Sequence, residues 1–263
     1  MGELAQGGDG SNRLPLTADL VGRDTTLHFE NGWIIKYRIK TIRRLSWNKI
    51  SPSRKSRWTS ETYSAMKVRE GIYFLDHVRH LERATTISFV LDLNGGIFTA
   101  VIGQLPTRAE TEGGLLSRAL AGKELTGVKA IFFGGSIDKP FSGTSTPRHR
   151  KTNDLIGKRV EYTYSPTDLY EHVYLDENFY TWHCLKGAER GLADTDRCDY
   201  FGIADKLYLF VWREKIIPTL GVLIEDFNQM RTSGKLFGYH SNDFGKLSNF
   251  MVGAKARMLD AKP

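Results

Sequence analysis

Hydrophobic and polar residues alternate in short runs along most of the chain, a pattern that predicts β-strands. Residues 160–164 place valine and tyrosine side chains on one face and glutamate and threonine on the other. Similar runs, such as 87–91 and 207–213, follow at the spacing of about 8–12 residues that is typical of all-β folds. The pattern therefore predicts an all-β protein with six or more antiparallel strands in each half, closed or nearly closed into a small barrel.

The two halves of the chain match each other at a constant separation of 135 residues. The clearest pairs are Gly22 with Gly157, Trp47 with Trp182, and Tyr73 with Tyr208, and a softer pair is Ile87 with Val222. Self-similarity at one fixed spacing indicates that one unit is present twice. Two copies of about a hundred residues each predict paired domains rather than a repeat array.

The duplication and the helical signals together predict the domain boundaries. Helical patterns are scarce, with the best at 112–120 and a weak one at 246–259. The expected order is a flexible tail, a first barrel, a connector with a short helix, a second barrel, and a C-terminal tail or helix. The corresponding ranges are 1–17, 18–105, 106–153, 154–241 and 242–263.

Composition narrows the class of protein. No run approaches the ~18 apolar residues of a membrane span, and the N-terminus lacks the apolar core of a secretory signal, so we expect a cytoplasmic protein without a membrane anchor. Cys184 and Cys198 are the only two cysteines and have no CxxC spacing, which argues against a disulfide framework. Whether the chain forms a homodimer is left open by the sequence.

The charge favours anionic partners but not nucleic acid. The net charge is +7 and the isoelectric point is about 9.3. Basic residues gather in two runs, at 54–57 and 148–151, beside Ser, Thr and Pro residues that are typical of solvated loops. No nucleic-acid-binding signature accompanies them, so an anionic or aromatic small molecule is the expected partner.

The chain lacks the common cofactor and metal motifs. No P-loop, GxGxxG, GxSxG or HExxH sequence occurs. His172, His183 and Cys184 could converge on a metal ion, but scattered histidines are more often hydrogen-bonded or exposed. We therefore expect neither a cofactor nor a metal.

One group of aromatic residues in the second half suggests a ligand site. Alternation places Tyr208, Phe210, Trp212 and Glu214 on one strand face, so that a carboxylate stands among rings. Such an interior suits a flat, partly aromatic, acidic ligand, although small barrels are often packed solid. The candidate binding residues are Arg190, Arg197, Tyr170, His172, Tyr174, Trp182, Tyr208 and Trp212, with Glu214, Tyr162 and Tyr164 as candidate catalytic residues.

The second half closely resembles the molybdenum cofactor biosynthesis F family, and the resemblance extends over most of both halves. It is carried by the stretches 170–175, 180–185, 191–197 and 208–215. The resemblance implies two tandem lipocalin-like, calycin-type barrels but no defined reaction. The family's name associates it with molybdenum cofactor metabolism.

A more distant similarity, to the phenolic acid decarboxylases, implies a mechanism. Those cofactor-free barrels use a Tyr-x-Tyr pair, matched here by Tyr162 and Tyr164, and a Trp-x-Glu strand, matched by Trp212 and Glu214. Their arginine has no direct match in the second copy, where Arg190 or Arg197 would replace it. The first copy has Leu27, Phe29 and Arg79 in place of the two tyrosines and the glutamate, so the implied chemistry belongs to the second barrel.

Two functions follow as hypotheses. The first is a cofactor-free lyase or isomerase for a small phenolic or enolisable anion, in which Glu214 transfers a proton and the tyrosines hold an oxygen. The second is a non-catalytic protein that binds a small ligand in molybdenum cofactor metabolism. A carrier has no need of a buried Glu214, and this difference separates the two.

Overall fold

The computed structural model describes residues 12–51, 57–241 and 243–259, and these residues form two closed antiparallel barrels of eight strands each. In the first barrel, neighbouring strands follow the chain order and β1 pairs with β8 to close the sheet. Its strands are β1 (Asp24–Phe29), β2 (Ile34–Ile39), β3 (Arg44–Ile50), β4 (Thr59–Arg69), β5 (Ile72–Val78), β6 (Thr85–Asp92), β7 (Ile97–Gln104) and β8 (Lys129–Ile137). Two short helices, α1 (Arg108–Glu112) and α2 (Gly114–Leu120), precede β8.

The second barrel has the same strand order, and the pairings of β12 with β13 and of β10 with β17 complete it. The two-residue strand β9 adds to the outside of β13. The strands are β9 (Arg150–Lys151), β10 (Arg159–Thr163), β11 (Leu169–Tyr174), β12 (Phe179–Lys186), β13 (Ala193–Ala204), β14 (Leu207–Arg213), β15 (Thr219–Asp226), β16 (Arg231–His240) and β17 (Asp243–Leu259). The predicted fold class, tandem barrels related by duplication with few short helices, is confirmed.

The duplication is visible strand by strand. Strands β2 and β11, and likewise β5 and β14, begin and end 135 residues apart. The loop after β14 is one residue shorter than the loop after β5, so the separation then falls to 134. Leu75 pairs with Phe89 in the first barrel as Phe210 pairs with Leu223 in the second. The predicted pair of Ile87 with Val222 is therefore wrong by one residue, and the structural partner of Ile87 is Gly221.

Two further expectations about secondary structure need correction. The weak helical pattern at 246–259 is wrong, because these residues belong to the long strand β17. The predicted connector contains not only α1 and α2 but also β8, the strand that closes the first barrel. Local patterns missed both strands because their apolar positions face a barrel interior that only the closed sheet creates.

The chain divides into two compact units that differ slightly from the predicted domains. One unit comprises Pro15–Gln104 and Ala130–His149. The other comprises, of the described residues, 12–14, Leu105–Lys129 and 150–259. The expected N-terminal tail lies mostly outside the described residues, but Asn12 donates its backbone N–H to the Tyr164 carbonyl at 3.1 Å and its side-chain amide to the Thr163 carbonyl at 2.8 Å.

Each barrel has its own core. Leucine, isoleucine and phenylalanine side chains dominate the interior of the first barrel. Tyrosine dominates the interior of the second, where Tyr162, Tyr174, Tyr180 and Tyr200 are almost fully buried. Cys184 and Cys198 are buried free thiols in the second core.

None of the helices among the described residues is long and apolar enough to span a membrane.

Most of the basic run at 54–57 lies outside the described residues, and in the other run Arg148 pairs with Glu30 and Lys151 with Asp199. Local acidic partners therefore offset part of the positive charge.

Candidate ligand site in the second barrel

A recess opens into the second barrel among the aromatic side chains. Its volume is about 480 Å³ when the open mouth is included. The lining residues are Tyr164, Tyr170, His172, Tyr180, Trp182, Glu189, Trp212, Glu214 and Leu236.

Glu214 is held at the end of β14 by both its side chain and its main chain. The Trp212 indole Nε1 donates to Glu214 Oε1 at 3.0 Å. The backbone N–H of Glu214 donates to the Thr219 carbonyl at 2.9 Å, and the Thr126 hydroxyl donates to the Glu214 carbonyl at 2.9 Å. These contacts fix the carboxyl group at the recess.

The surroundings of Glu214 favour its protonated form. Glu214 is half-buried at the recess, and desolvation of its carboxyl group raises its pKa to about 8. The nearby carboxyl groups of Asp196 and Glu189 raise the pKa further, whereas the hydrogen bond from Trp212 lowers it. Glu214 is therefore mostly protonated near pH 7, as expected for a general acid.

Glycine at position 221 makes room for this arrangement. A Cβ atom on Gly221 would lie 2.3 Å from the ring atoms of Trp212. Real Cβ atoms do not approach other atoms so closely, so any side chain at 221 would displace the indole that orients Glu214. The strand-parity prediction that Trp212 faces inward is consistent with its place in the core.

Several polar groups at the recess lack protein partners. The hydroxyl groups of Tyr164 and Tyr180 form no hydrogen bond to any described residue, and both residues line the recess. The buried Nδ1 of His172 is likewise without a partner in the described part of the chain. Burial lowers the pKa of His172 to about 3, so its ring is neutral. Buried polar groups normally find partners, so these atoms mark a place where a ligand or water would bind.

A second acidic group, Glu225, lies deeper in the barrel and was not among the predicted site residues. Tyr162 donates its hydroxyl to Glu225 Oε2 at 2.9 Å, and the hydroxyl groups of Tyr162 and Tyr174 are 2.6 Å apart. Burial raises the pKa of Glu225 to about 8. Strand parity could have found this residue, because Glu225 shares the inward face of β15 with Leu223.

Tyr162 and Tyr174 therefore form part of a buried cluster with Glu225 rather than the wall of the recess. The ring centroid of Tyr162 is 4.7 Å from that of His172, which does line the recess. The cluster thus lies against the floor of the recess. Of the two tyrosines predicted to hold a ligand oxygen, Tyr164 lines the recess and Tyr162 does not.

Three other predicted binding residues lie away from the recess. Tyr208 is in the core, with its ring centroid 5.9 Å from that of Phe227. Arg190 is an exposed turn residue. Arg197 pairs with Glu124 at 3.1 Å and is not a lining residue. The expected arginine at the rim is therefore absent from the described lining of the recess.

Two further aromatic side chains of the recess, those of Trp182 and Tyr170, donate hydrogen bonds to acidic residues. The Trp182 indole donates to Asp196 Oδ2 at 3.0 Å, and the Tyr170 hydroxyl donates to Glu189 Oε2 at 3.0 Å. The ammonium group of Lys215 binds Asp194 and Asp196 rather than the recess. Among the described lining residues, the groups able to carry charge at neutral pH are thus carboxyl groups.

A metal site does not emerge from the described residues. No group of three or more His, Cys, Asp or Glu side chains there is arranged to hold an ion. In the proposed trio, Cys184 is buried in the core while its neighbour His183 points to the other side of β12.

Fold and site together define a tandem β-barrel protein whose second barrel carries an aromatic, acid-containing recess. Comparison with known proteins agrees on both halves: the MoaF N-terminal domain matches residues 1–107 and the MoaF C-terminal domain matches residues 149–262. The chain belongs to the MoaF family. It is 42% identical over 261 residues to "Protein MoaF" of Klebsiella aerogenes, covering 99% of this chain and 94% of that protein.

A solved structure described as a "putative beta-lactamase from Burkholderia vietnamiensis" shows a weaker likeness. It is 17% identical, with a TM-score of 0.35 over 42% of this chain and 99% of the other. Nothing about the present chain is inferred from it.

Proposed function

We propose that the second barrel is a cofactor-free lyase or isomerase that performs acid–base chemistry on a small phenolic or enolisable compound. The observation that carries the proposal is Glu214, a carboxyl group with a pKa of about 8 that is oriented by Trp212 at the wall of an aromatic recess. A carboxylic acid that stays protonated near neutral pH can deliver a proton to carbon.

The other lining groups fit this role. The free hydroxyl groups of Tyr164 and Tyr180 can donate hydrogen bonds to an oxygen on which charge develops. Glu214 gives its proton to the electron pair at carbon, and its carboxylate recovers a proton from water or from the next substrate. In a decarboxylation the electron pair comes from the broken bond to CO₂. In an isomerisation it comes from the enol double bond, and the proton released from the enol oxygen returns through water to the Glu214 carboxylate.

The proposal differs from the sequence-based expectation in how the charge of the substrate is stabilised. An anionic substrate was expected with an arginine at the rim, and no arginine of the described chain lines the recess. In this proposal neutral donors, rather than an ion pair, hold the reacting oxygen.

The test is a comparison of Glu214→Gln with wild-type protein. Phenolic acids, enols and pterins are screened by thermal shift, and each compound that binds is incubated with protein and followed by NMR. We expect Glu214→Gln to lower turnover by about 10²- to 10⁴-fold while the affinity is largely kept. The matched control is Glu161→Gln, because Glu161 pairs with Arg257 on the outside of the same barrel. Unchanged turnover in Glu214→Gln would refute the role of this residue.

The second candidate function is a non-catalytic protein that binds a small ligand in molybdenum cofactor metabolism. The absence of a basic residue from the described lining favours it, because a reaction through a carbanion or enolate would lack ionic stabilisation. A bound compound that is recovered unchanged from wild-type protein, with similar affinity for Glu214→Gln, would support this alternative.

A further inference from the structure

The walls of the recess have the composition of an aromatic cage. Six of its nine lining residues are rings. The ring centroids of Tyr164 and Tyr170 are 5.8 Å apart with an angle of 88° between the planes, and those of Tyr180 and Trp212 are 5.8 Å apart at 57°. Adjacent rings are thus tilted against each other, so they enclose the recess from several directions instead of stacking into one layer.

Neither indole in the cage has an N–H group left for a ligand. The N–H of Trp182 is bonded to Asp196, and that of Trp212 is bonded to Glu214. The indoles can therefore offer a ligand only their π-surface. The electrostatic potential over an aromatic face is negative and attracts cations.

The ionisable lining residues of the recess, apart from the tyrosines and the neutral His172, are both acids. Glu189 and Glu214 line it, His172 is neutral, and no lysine or arginine stands among the described lining residues. Among the described lining residues, an anion would meet carboxyl groups and ring faces but no lysine or arginine side chain. A cation would meet favourable electrostatics from both.

The first barrel provides an internal comparison. There the residue at the position of Glu214 is Arg79, and its guanidinium carbon lies 3.6 Å from the ring centroid of Trp47, the counterpart of Trp182. The first copy thus places a cation of its own over this tryptophan. The second copy has the same ring but replaces the cation with an acid.

We propose that the recess of the second barrel binds an organic ammonium group, so that the ligand is an amine or a quaternary ammonium compound. This inference specifies the class of ligand for the proposed function. It rests on that function only because both place a ligand in the same recess. The recess, about 480 Å³ with its open mouth, has room for a compact head group, and the rest of the ligand would extend through the mouth. For an isomerisation, a phenolic or enolisable compound with an ammonium substituent would satisfy both proposals, and for a decarboxylation the compound would also carry the carboxylate that is lost.

Cation binding should be coupled to a proton on Glu214. A positive charge beside this carboxyl group favours its ionised form, so the ligand should bind more tightly as pH rises towards 8, and binding should release a proton. Among the described residues, the other titratable groups that act on Glu214 or flank it are Tyr164, Tyr180, His172, Asp196, Glu189 and Lys215. Of these, the Lys215 ammonium is engaged by Asp194 and Asp196, and burial raises the pKa of Tyr164 and Tyr180, so both remain neutral in this range.

The test compares a cation with a neutral molecule of the same shape. Choline and 3,3-dimethylbutan-1-ol differ by a quaternary nitrogen in place of carbon, and benzoate serves as the anionic probe. Binding to the full-length chain at constant ionic strength is measured by NMR, through the indole N–H signals of Trp182 and Trp212. We expect choline to bind at least about tenfold more tightly than the alcohol, and benzoate to bind least. Equal or weaker binding of choline would overturn the proposal.

Variants locate the site and separate this inference from the proposed function. Glu189→Gln removes one charge from the cage and should weaken choline binding severalfold, whereas Glu161→Gln on the outside of the barrel should not. Glu214→Gln should abolish the increase in choline affinity between pH 6.5 and 8.5. Choline binding without any turnover of ammonium-bearing phenols would sustain this inference and refute the catalytic proposal. Turnover confined to compounds without a cationic group would do the reverse.

Discussion

The two barrels share one scaffold but differ sharply inside. Their strands follow the same order, and their boundaries correspond at a separation of 135 or 134 residues. The first interior is lined mainly by aliphatic and phenylalanine side chains, whereas the second has tyrosine hydroxyls and two acids with raised pKa values. The backbone pattern therefore depends on where apolar and polar residues alternate, and not on which inward residues are used.

The difference is concentrated at a few equivalent positions. Leu27 and Ile39 of the first barrel occupy the positions of Tyr162 and Tyr174, and Leu91 occupies that of Glu225. The first barrel can keep a dry core because these side chains need no partners. The second barrel can bury Glu225 because hydrogen bonds from Tyr162 and Thr232 satisfy its carboxyl group in part.

Transferring the acid between barrels should have the largest effect. Leu91→Glu places a carboxyl group in the first core, where the counterparts of the two tyrosines cannot donate hydrogen bonds. We expect the free energy of unfolding to fall by about 3–5 kcal/mol at pH 7, measured by urea denaturation. Leu91→Met conserves the volume and should cost less than about 1.5 kcal/mol. Equal stability of the two variants would show that the first interior is less apolar than its packing indicates.

The second prediction concerns pH. Burial raises the pKa of Glu225 in the folded protein from its ordinary value of 4.5 to about 8. Above pH 4.5 the unfolded chain ionises while the folded protein keeps its proton, so the free energy of unfolding falls by about 1.4 kcal/mol per pH unit until about pH 8. The contribution is thus fully present below pH 4.5 and lost towards pH 8. Denaturation series at pH 5 to 8 should show a shallower decline for Glu225→Gln than for wild type, and identical slopes would exclude a buried, protonated acid.

The third prediction uses the position where the two interiors differ in size. Ile87 in the first barrel corresponds to Gly221 in the second, where Trp212 fills the space. Gly221→Ala should displace the indole and lower the free energy of unfolding by about 1–3 kcal/mol. Gly202→Ala is the control, because its added Cβ would meet its nearest neighbour at an ordinary 3.9 Å. If both variants are equally stable, Trp212 is not packed against residue 221.

The smallest expected effect compares two buried hydroxyl groups. Tyr162→Phe removes a donor to Glu225 and should cost about 1–2 kcal/mol. Tyr37→Phe in the first barrel breaks a longer contact, 3.3 Å from the hydroxyl to His77 Nε2, and should cost less, about 0.5–1 kcal/mol. Thermal unfolding of the two variants gives the order, and a larger loss for Tyr37→Phe would contradict the central place of the Glu225 cluster.

Strand parity and the family resemblance selected several residues that the structure brings together at the recess, and their roles there stay predictions. Tyr164, Tyr170, His172, Trp182, Trp212 and Glu214 all line the recess. Site prediction from the sequence was less informative for long side chains such as Arg197, whose direction is set by Glu124 from a distant part of the chain. Sequence reasoning also missed Glu225. An acidic side chain in a strand usually faces solvent, unless a hydrogen-bond donor such as Tyr162 lies inside the barrel.

The sequence by itself determined that one β-rich unit occurs twice and that the second copy concentrates tyrosine, tryptophan and acid on inward positions, because alternation and repeat spacing are local properties of the chain. The tertiary structure decided which strands close each barrel, which hydroxyls are paired within the core and which remain at the recess. Those outcomes depend on contacts between residues far apart in the chain, such as Tyr162 with Glu225 and Thr126 with Glu214. Barrel closure and desolvation create these contacts, and they raise the pKa of the acid that the sequence only placed among rings.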